Sequence, residues 1–135
     1  MDISYKWLKE FANVSAGSKE FMHRMNMSGT EIKGFRSLSD GLSNIAVGKI
    51  LKIERHPDAD KLVVCQVDVG DKGTIQIVTA ATNVFEGAIV PVALHKSVVA
   101  GGHKIEKGKL RGVESNGMFC SVEELGLTEH DYPDA

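Results

Sequence analysis

The sequence predicts a mainly β fold, a five-stranded barrel preceded by a small N-terminal α/β segment. Three observations carry that expectation. Apolar and polar residues alternate over most of the chain after Asn44. Glycine-containing turn signals punctuate those runs, as at "GDKG", Gly70 to Gly73. A helical spacing of apolar residues is confined to the stretch before Gly29.

The elements follow in order. Ser4 suits the cap of a helix on which Trp7, Leu8 and Phe11 share a face. Ser18 suits the cap of a second, carrying Phe21, Met22 and Met25, with Gly29 as its stop. Trp7 and Phe11 read as core anchors for these helices, or as contacts for further chain. "GTEIKGF" then alternates Ile32 with polar neighbours, the pattern of a short strand. The serine- and glycine-rich "RSLSDGLSN" reads as a linker. The expected division is therefore an N-terminal segment over 1–38 and a barrel domain over 39–135.

In the second part, "IAVGKILKIERH" alternates through Ile45, Val47, Ile50 and Ile53. "KLVVCQVDVG" carries an apolar face at Val63, Cys65, Val67 and Val69, and "TIQIVTAAT" follows across the glycine turn as its hairpin partner. "AIVPVAL" makes a fourth strand, with Pro91 at an edge or bulge. After a long excursion, "GKLRGVESNGMFCS" makes the last extended stretch. It leads into a short helix, "SVEELGL", which Ser121 and Glu124 can box at its start. Short strands with one long excursion suit a small barrel better than a parallel sheet.

Composition narrows the class. The 135 residues are 42% hydrophobic and 25% charged, as in an ordinary globular protein with a core of its own. A net charge of -2 argues against a wholly basic nucleic-acid coat, while leaving room for a local basic face. Two cysteines without a secretory signal read as reduced and cytoplasmic, and no run approaches the length of a membrane span.

Two stretches bear chemistry. "HPDADKL" gathers His56, Asp58 and Asp60, which invites a metal or an acid/base reading. Pro57 and the Asp-Ala-Asp run favour a turn instead, where such side chains bond to backbone amides. No second ligand cluster or nucleophile accompanies them, so no metal and no catalytic residue is assigned. "KIEKGKLRGVESNGMFCS" crowds Lys104, Lys107, Lys109 and Arg111, followed by Ser115, Asn116, Met118 and Ser121. Cations can neutralise phosphates, while hydroxyls and amides meet sugars and base edges. Lys49, Lys52, Arg55 and Lys61 would join that face if the first strand neighboured the last. The competing reading is a solvated lysine face on which Arg111 pairs with Glu106 or Glu114. With only 6% aromatic residues, a platform that stacks successive bases is disfavoured, and shape-based recognition of folded RNA remains open.

These stretches also carry a resemblance. "HPDADKLVVCQVDVG", "IVTAATNV" and "KGKLRGVESNGMFCSVEELGL" resemble the successive motifs of the tRNA-binding OB-fold domain. That domain occurs in bacterial phenylalanyl-tRNA synthetase β chains, in some methionyl-tRNA synthetases and in stand-alone tRNA-binding proteins. "MDISYKWLKEF" and "MNMSGTEIKGF" resemble the start of the synthetase β chain. The resemblance implies an N-terminal fragment of such a chain, holding an OB-fold barrel inserted after a piece of another domain. It implies a parent phenylalanine–tRNA ligase, an α2β2 complex with an α subunit that uses ATP and Mg2+. No cofactor is expected in the fragment itself. It further implies tRNA contact through Asn83, Arg111, Ser115 and Met118. Thr79, Ala80 and Ala81 depart from the family's usual Cys-Gly-Ala before that asparagine. Either the strand is regular there or the loop differs. A scaffold that positions domains and binds little RNA is the alternative, and a stand-alone tRNA-binding protein a third.

Overall fold

The computed structural model describes residues 1–131. The chain divides into two compact units, Met1–Leu38 and Ser39–Ala135.

In the first unit, α1 spans Tyr5–Phe11 and α2 spans Ser18–Met27. Ser4 caps α1 as its position suggests, its Oγ accepting from the Trp7 N–H at 3.2 Å. Ser18 does not cap α2. It is the first helical residue, and Gly17 stands at the cap without a side-chain bond. Tyr5 ties the helices together: its hydroxyl donates to the Ala16 carbonyl at 2.5 Å and its ring lies 5.2 Å from that of Phe21. Neither helix buries a residue, and Trp7 and Phe11 are 57% and 74% exposed, packed edge to face on each other. They are not core anchors within this unit. The strand expected at "GTEIKGF" is also absent. Asn26 takes the place of a neighbouring strand there, accepting from the Ile32 N–H at 2.5 Å and donating to its carbonyl at 3.3 Å. A side-chain amide presents the same donor–acceptor pair as a backbone, so the extended segment is satisfied without a sheet.

The second unit is the barrel. Its main strands are β1 Ser43–Arg55, β2 Val63–Asp68, β3 Thr74–Thr79 and β4 Ile89–Val99. Short strands follow: β5 His103–Ile105, β6 Gly108–Leu110, β7 Val113–Ser115 and β8 Gly117–Phe119. The sheet runs β3-β2-β1-β4-β5, all antiparallel, with β8 on β4, while β6 and β7 form a separate hairpin. Closure falls between β3 and the β7–β8 turn, where the Asn116 N–H donates to Gln76 O at 2.8 Å and the Val78 N–H donates to Ser115 Oγ at 3.1 Å. This is a five-stranded OB-fold barrel, with β8 as its last strand and β5–β7 as the excursion.

Bulges bend the long strands. The β1–β4 register jumps between Ser43 and Ile45, where Asn44 and Lys96 both take positive φ. Pro91 sits opposite Val47, and its carbonyl accepts from the Cys120 N–H at 3.0 Å. Its missing N–H therefore falls just beyond the end of β8, the edge-like place a proline requires. Ile50, Cys65, Val67, Ile77 and Val92 are fully buried, with Phe119 packed against them. Gly48 lets β1 cross this core: a Cβ there would stand 2.7 Å from Val67 Cγ1 and from Val92 Cγ2. At the chain's far end, Ser121 and Glu124 form the expected reciprocal box at 2.7 and 3.3 Å, but over a single 3-10 turn, Glu123–Leu125.

Candidate nucleic-acid interface

The β6–β7 hairpin organises the site. Arg111 and Gly112 are its two central residues, with φ of +50° and +86°, the signature of a type I′ turn. Glycine takes the second position freely. At the first, asparagine is favoured and an arginine is strained, because its Cβ crowds the following carbonyl. Lys107 and Lys109 lead up to the apex and Lys104 lies on β5, all exposed. Among the described residues none of these four cations takes part in an ion pair, although Glu114 stands opposite Lys109 in the hairpin register. The pairing of Arg111 with Glu106 or Glu114 does not form. Lys52, by contrast, binds Glu54 at 2.8 Å, and that hydrogen bond, then the carboxylate's charge, raises its pKa above the usual lysine value.

Two shallow hollows flank the hairpin. One, of about 320 Å³, has Val78, Lys104, Glu106, Lys109, Ser115 and Met118 among its lining residues. The other, of about 240 Å³, lies among Lys107, Gly108, Lys109, Glu114 and Asn116. Half-buried Met118 and Asn116 thus each line a hollow with cations at the rim. Ser115 also lines the first hollow, but its hydroxyl is engaged by the fold, and Ser121 lines neither. The buried Ser115 hydroxyl donates to Gly117 O at 2.9 Å and accepts from Val78, while Ser121 is committed to its cap. Asn83 is exposed in the β3–β4 loop and makes no hydrogen bond among the described residues. Ahead of it, Thr79 Oγ1 accepts from the Ala81 N–H at 3.1 Å. Ala80 is not among the residues of positive φ, so the loop turns through the threonine hydroxyl and needs no glycine.

Lys49, Lys52, Arg55 and Lys61 do not gather here by strand pairing. β1 lies between β2 and β4, and β8 pairs with β4, so the first and last strands are not neighbours. One link does join the end of β1 to the hairpin. His56 is 6% exposed; its Nε2 lies 2.9 Å from Leu110 O, and the Asp58 N–H donates to its Nδ1 at 3.1 Å. "HPDADKL" is thus a turn, with both imidazole nitrogens engaged by backbone, and no group of three or more potential metal ligands occurs among the described residues.

Sequence reasoning missed three supports of the site. Gln66 donates to Gln76 at 3.1 Å, and Gln76 donates to Glu114 O at 2.7 Å, chaining β2 and β3 to the hairpin. His95 Nδ1 accepts from the Lys107 N–H at 3.1 Å. Lone glutamines and histidines in strands give no signal of this. Only the histidine of "HPDADKL" stood out, and as a turn residue.

Fold and site together define an OB-fold module with an unpaired basic hairpin at its closing strand. Residues 45–133 match the family described as "Putative tRNA binding domain", and the chain belongs to that family. The chain is 50% identical over 132 residues to the phenylalanine–tRNA ligase beta subunit of Clostridium acetobutylicum, covering 98% of this chain and 17% of that protein. It is 50% identical over 129 residues to the same subunit of Clostridium tetani, covering 96% of this chain and 16% of that one. The chain therefore spans about a sixth of the length of the relatives it matches. Among solved structures, the C-terminal domain of Plasmodium vivax p43 is 28% identical, with a TM-score of 0.46 over 60% of this chain and 46% of that one.

Proposed function

We propose that the barrel is a tRNA-binding module of a phenylalanyl-tRNA synthetase β subunit, contacting RNA through the face around the β6–β7 hairpin. The observation that carries this is the set of unpaired cations on a tRNA-binding-family domain: Lys109 and Arg111 on the hairpin, Lys107 just before it and Lys104 on β5. Lys107, Lys109 and Arg111 meet phosphates; Asn116 and Met118 meet sugar or base edges in the flanking hollows; Asn83 adds a contact from its loop. Ser115 and Ser121 support the fold. In this reading the parent complex, with an α subunit in an α2β2 assembly, uses ATP and Mg2+ to join phenylalanine to its tRNA in the cytoplasm. This segment contributes binding and no catalytic group.

The test is a titration of the 135-residue chain against folded tRNA and an unstructured RNA of equal length, at several salt concentrations. Binding that prefers folded tRNA and falls steeply with salt supports the reading, and Arg111→Ala should weaken it. No binding at low salt overturns it in favour of a positioning scaffold, and equal binding to both RNAs overturns it in favour of an unselective RNA binder.

A further inference from the structure

Resting on that reading, we propose that His56 is a positioning residue for the RNA-binding hairpin, setting the place of Arg111 through the carbonyl next to it. A carbonyl only accepts and an amide N–H only donates. Nε2 therefore carries the hydrogen towards Leu110 O, and Nδ1 offers its lone pair to the Asp58 N–H. One neutral tautomer satisfies both partners. The imidazole thus bridges the β1–β2 loop to the residue immediately before Arg111.

The other anchors of the hairpin hold its base. Gln76 meets Glu114, Ser115 and Asn116 close the barrel, and His95 meets the Lys107 N–H. β6 and β7 otherwise pair only with each other. A two-residue turn with a strained arginine at its first central position has alternatives close by, so a bond at Leu110 selects the one in which Arg111 is presented. Burial of the ring shields its side of that bond from water.

Asparagine and glutamine separate the two bonds. The amide of asparagine sits near the position of Nδ1, so His56→Asn keeps an acceptor for the Asp58 N–H and cannot reach Leu110. Glutamine extends to the position of Nε2, so His56→Gln keeps a donor for Leu110 and loses the turn bond. The proposal expects His56→Asn to bind folded tRNA about three- to tenfold more weakly, and His56→Gln to stay near the parent. In an Arg111→Ala background the effect of His56→Asn should vanish, because His56 acts through Arg111. A purely structural role for the loop gives the reverse order, or losses in both variants that follow thermal stability and persist in that background; either outcome overturns the proposal. If Arg111→Ala alone leaves binding unchanged, the assignment of Arg111 fails and takes this inference with it. If Arg111→Ala weakens binding while His56→Asn does not, only the positioning role fails.

Discussion

Replacing Arg111 by asparagine separates what the fold wants from what binding wants. The residue sits at φ +50° in the first central position of a two-residue hairpin. A side chain with a Cβ typically loses about 1–2 kcal/mol in that left-handed conformation, while asparagine before glycine is the preferred pair for this turn. Arg111 is exposed and in no ion pair among the described residues, so Arg111→Asn removes no attraction that would offset the relief. Stability should rise by about 0.5–1 kcal/mol, a Tm increase of about 2–6 °C for a domain of this size. RNA binding should move the other way. Loss of one phosphate contact lowers the slope of log affinity against log salt by about one and weakens binding to every tRNA alike. Differential scanning calorimetry and the salt titration together make the assay. A variant that gains stability and binds unchanged would sink the reasoning, since the strain would then serve nothing in recognition.

Two further outcomes are expected. Gly48→Ala should destabilise the barrel by about 1–3 kcal/mol or more in urea unfolding, because the new methyl would meet Val67 and Val92 at 2.7 Å in the closed core. Burial raises both the Cys65 and the Cys120 thiols above their ordinary value of 9.0, with Glu124 adding to the effect on Cys120. The unfolded chain therefore loses these protons first, so the thiols' contribution is intact below pH 9.0 and is lost as pH rises through the folded values. Unfolding midpoints measured from pH 7 to 10 should fall less steeply in Cys65→Ala than in the parent, whatever the two proteins' absolute stabilities.

The barrel was legible because its strands follow local rules. The glycines of "GDKG" do take positive φ, and Cys65, Val67 and Val69 do form a buried face. Errors arose where a tertiary neighbour overrides the local pattern. The alternation of "IAVGKILKIERH" runs through Val47, yet Val47 is exposed, because the inward place beside it must be empty of any side chain and Gly48 fills that role. "GTEIKGF" alternates like a strand, but Asn26 supplies its partner and no sheet forms. Trp7 and Phe11 share a helical face, yet both stay largely exposed and pack on each other.

The site was legible in charge and partly hidden in support. A net charge of -2 averages over the chain, whereas binding depends on which cations lack a carboxylate within reach. Arg24 is paired with Glu20 and Lys52 with Glu54, both close in sequence on a helix or a strand. The hairpin cations have Glu106 and Glu114 equally close in sequence and pair with neither. Even Glu114, opposite Lys109 beside the hairpin turn, forms no ion pair with it. The same turn brings Leu110 to His56 across 54 residues, a contact no local pattern could announce. "HPDADKL" therefore has a double character: within the turn it is the histidine, not an aspartate carboxylate, that accepts from the Asp58 N–H, and the same ring reaches out to the hairpin that presents the cations.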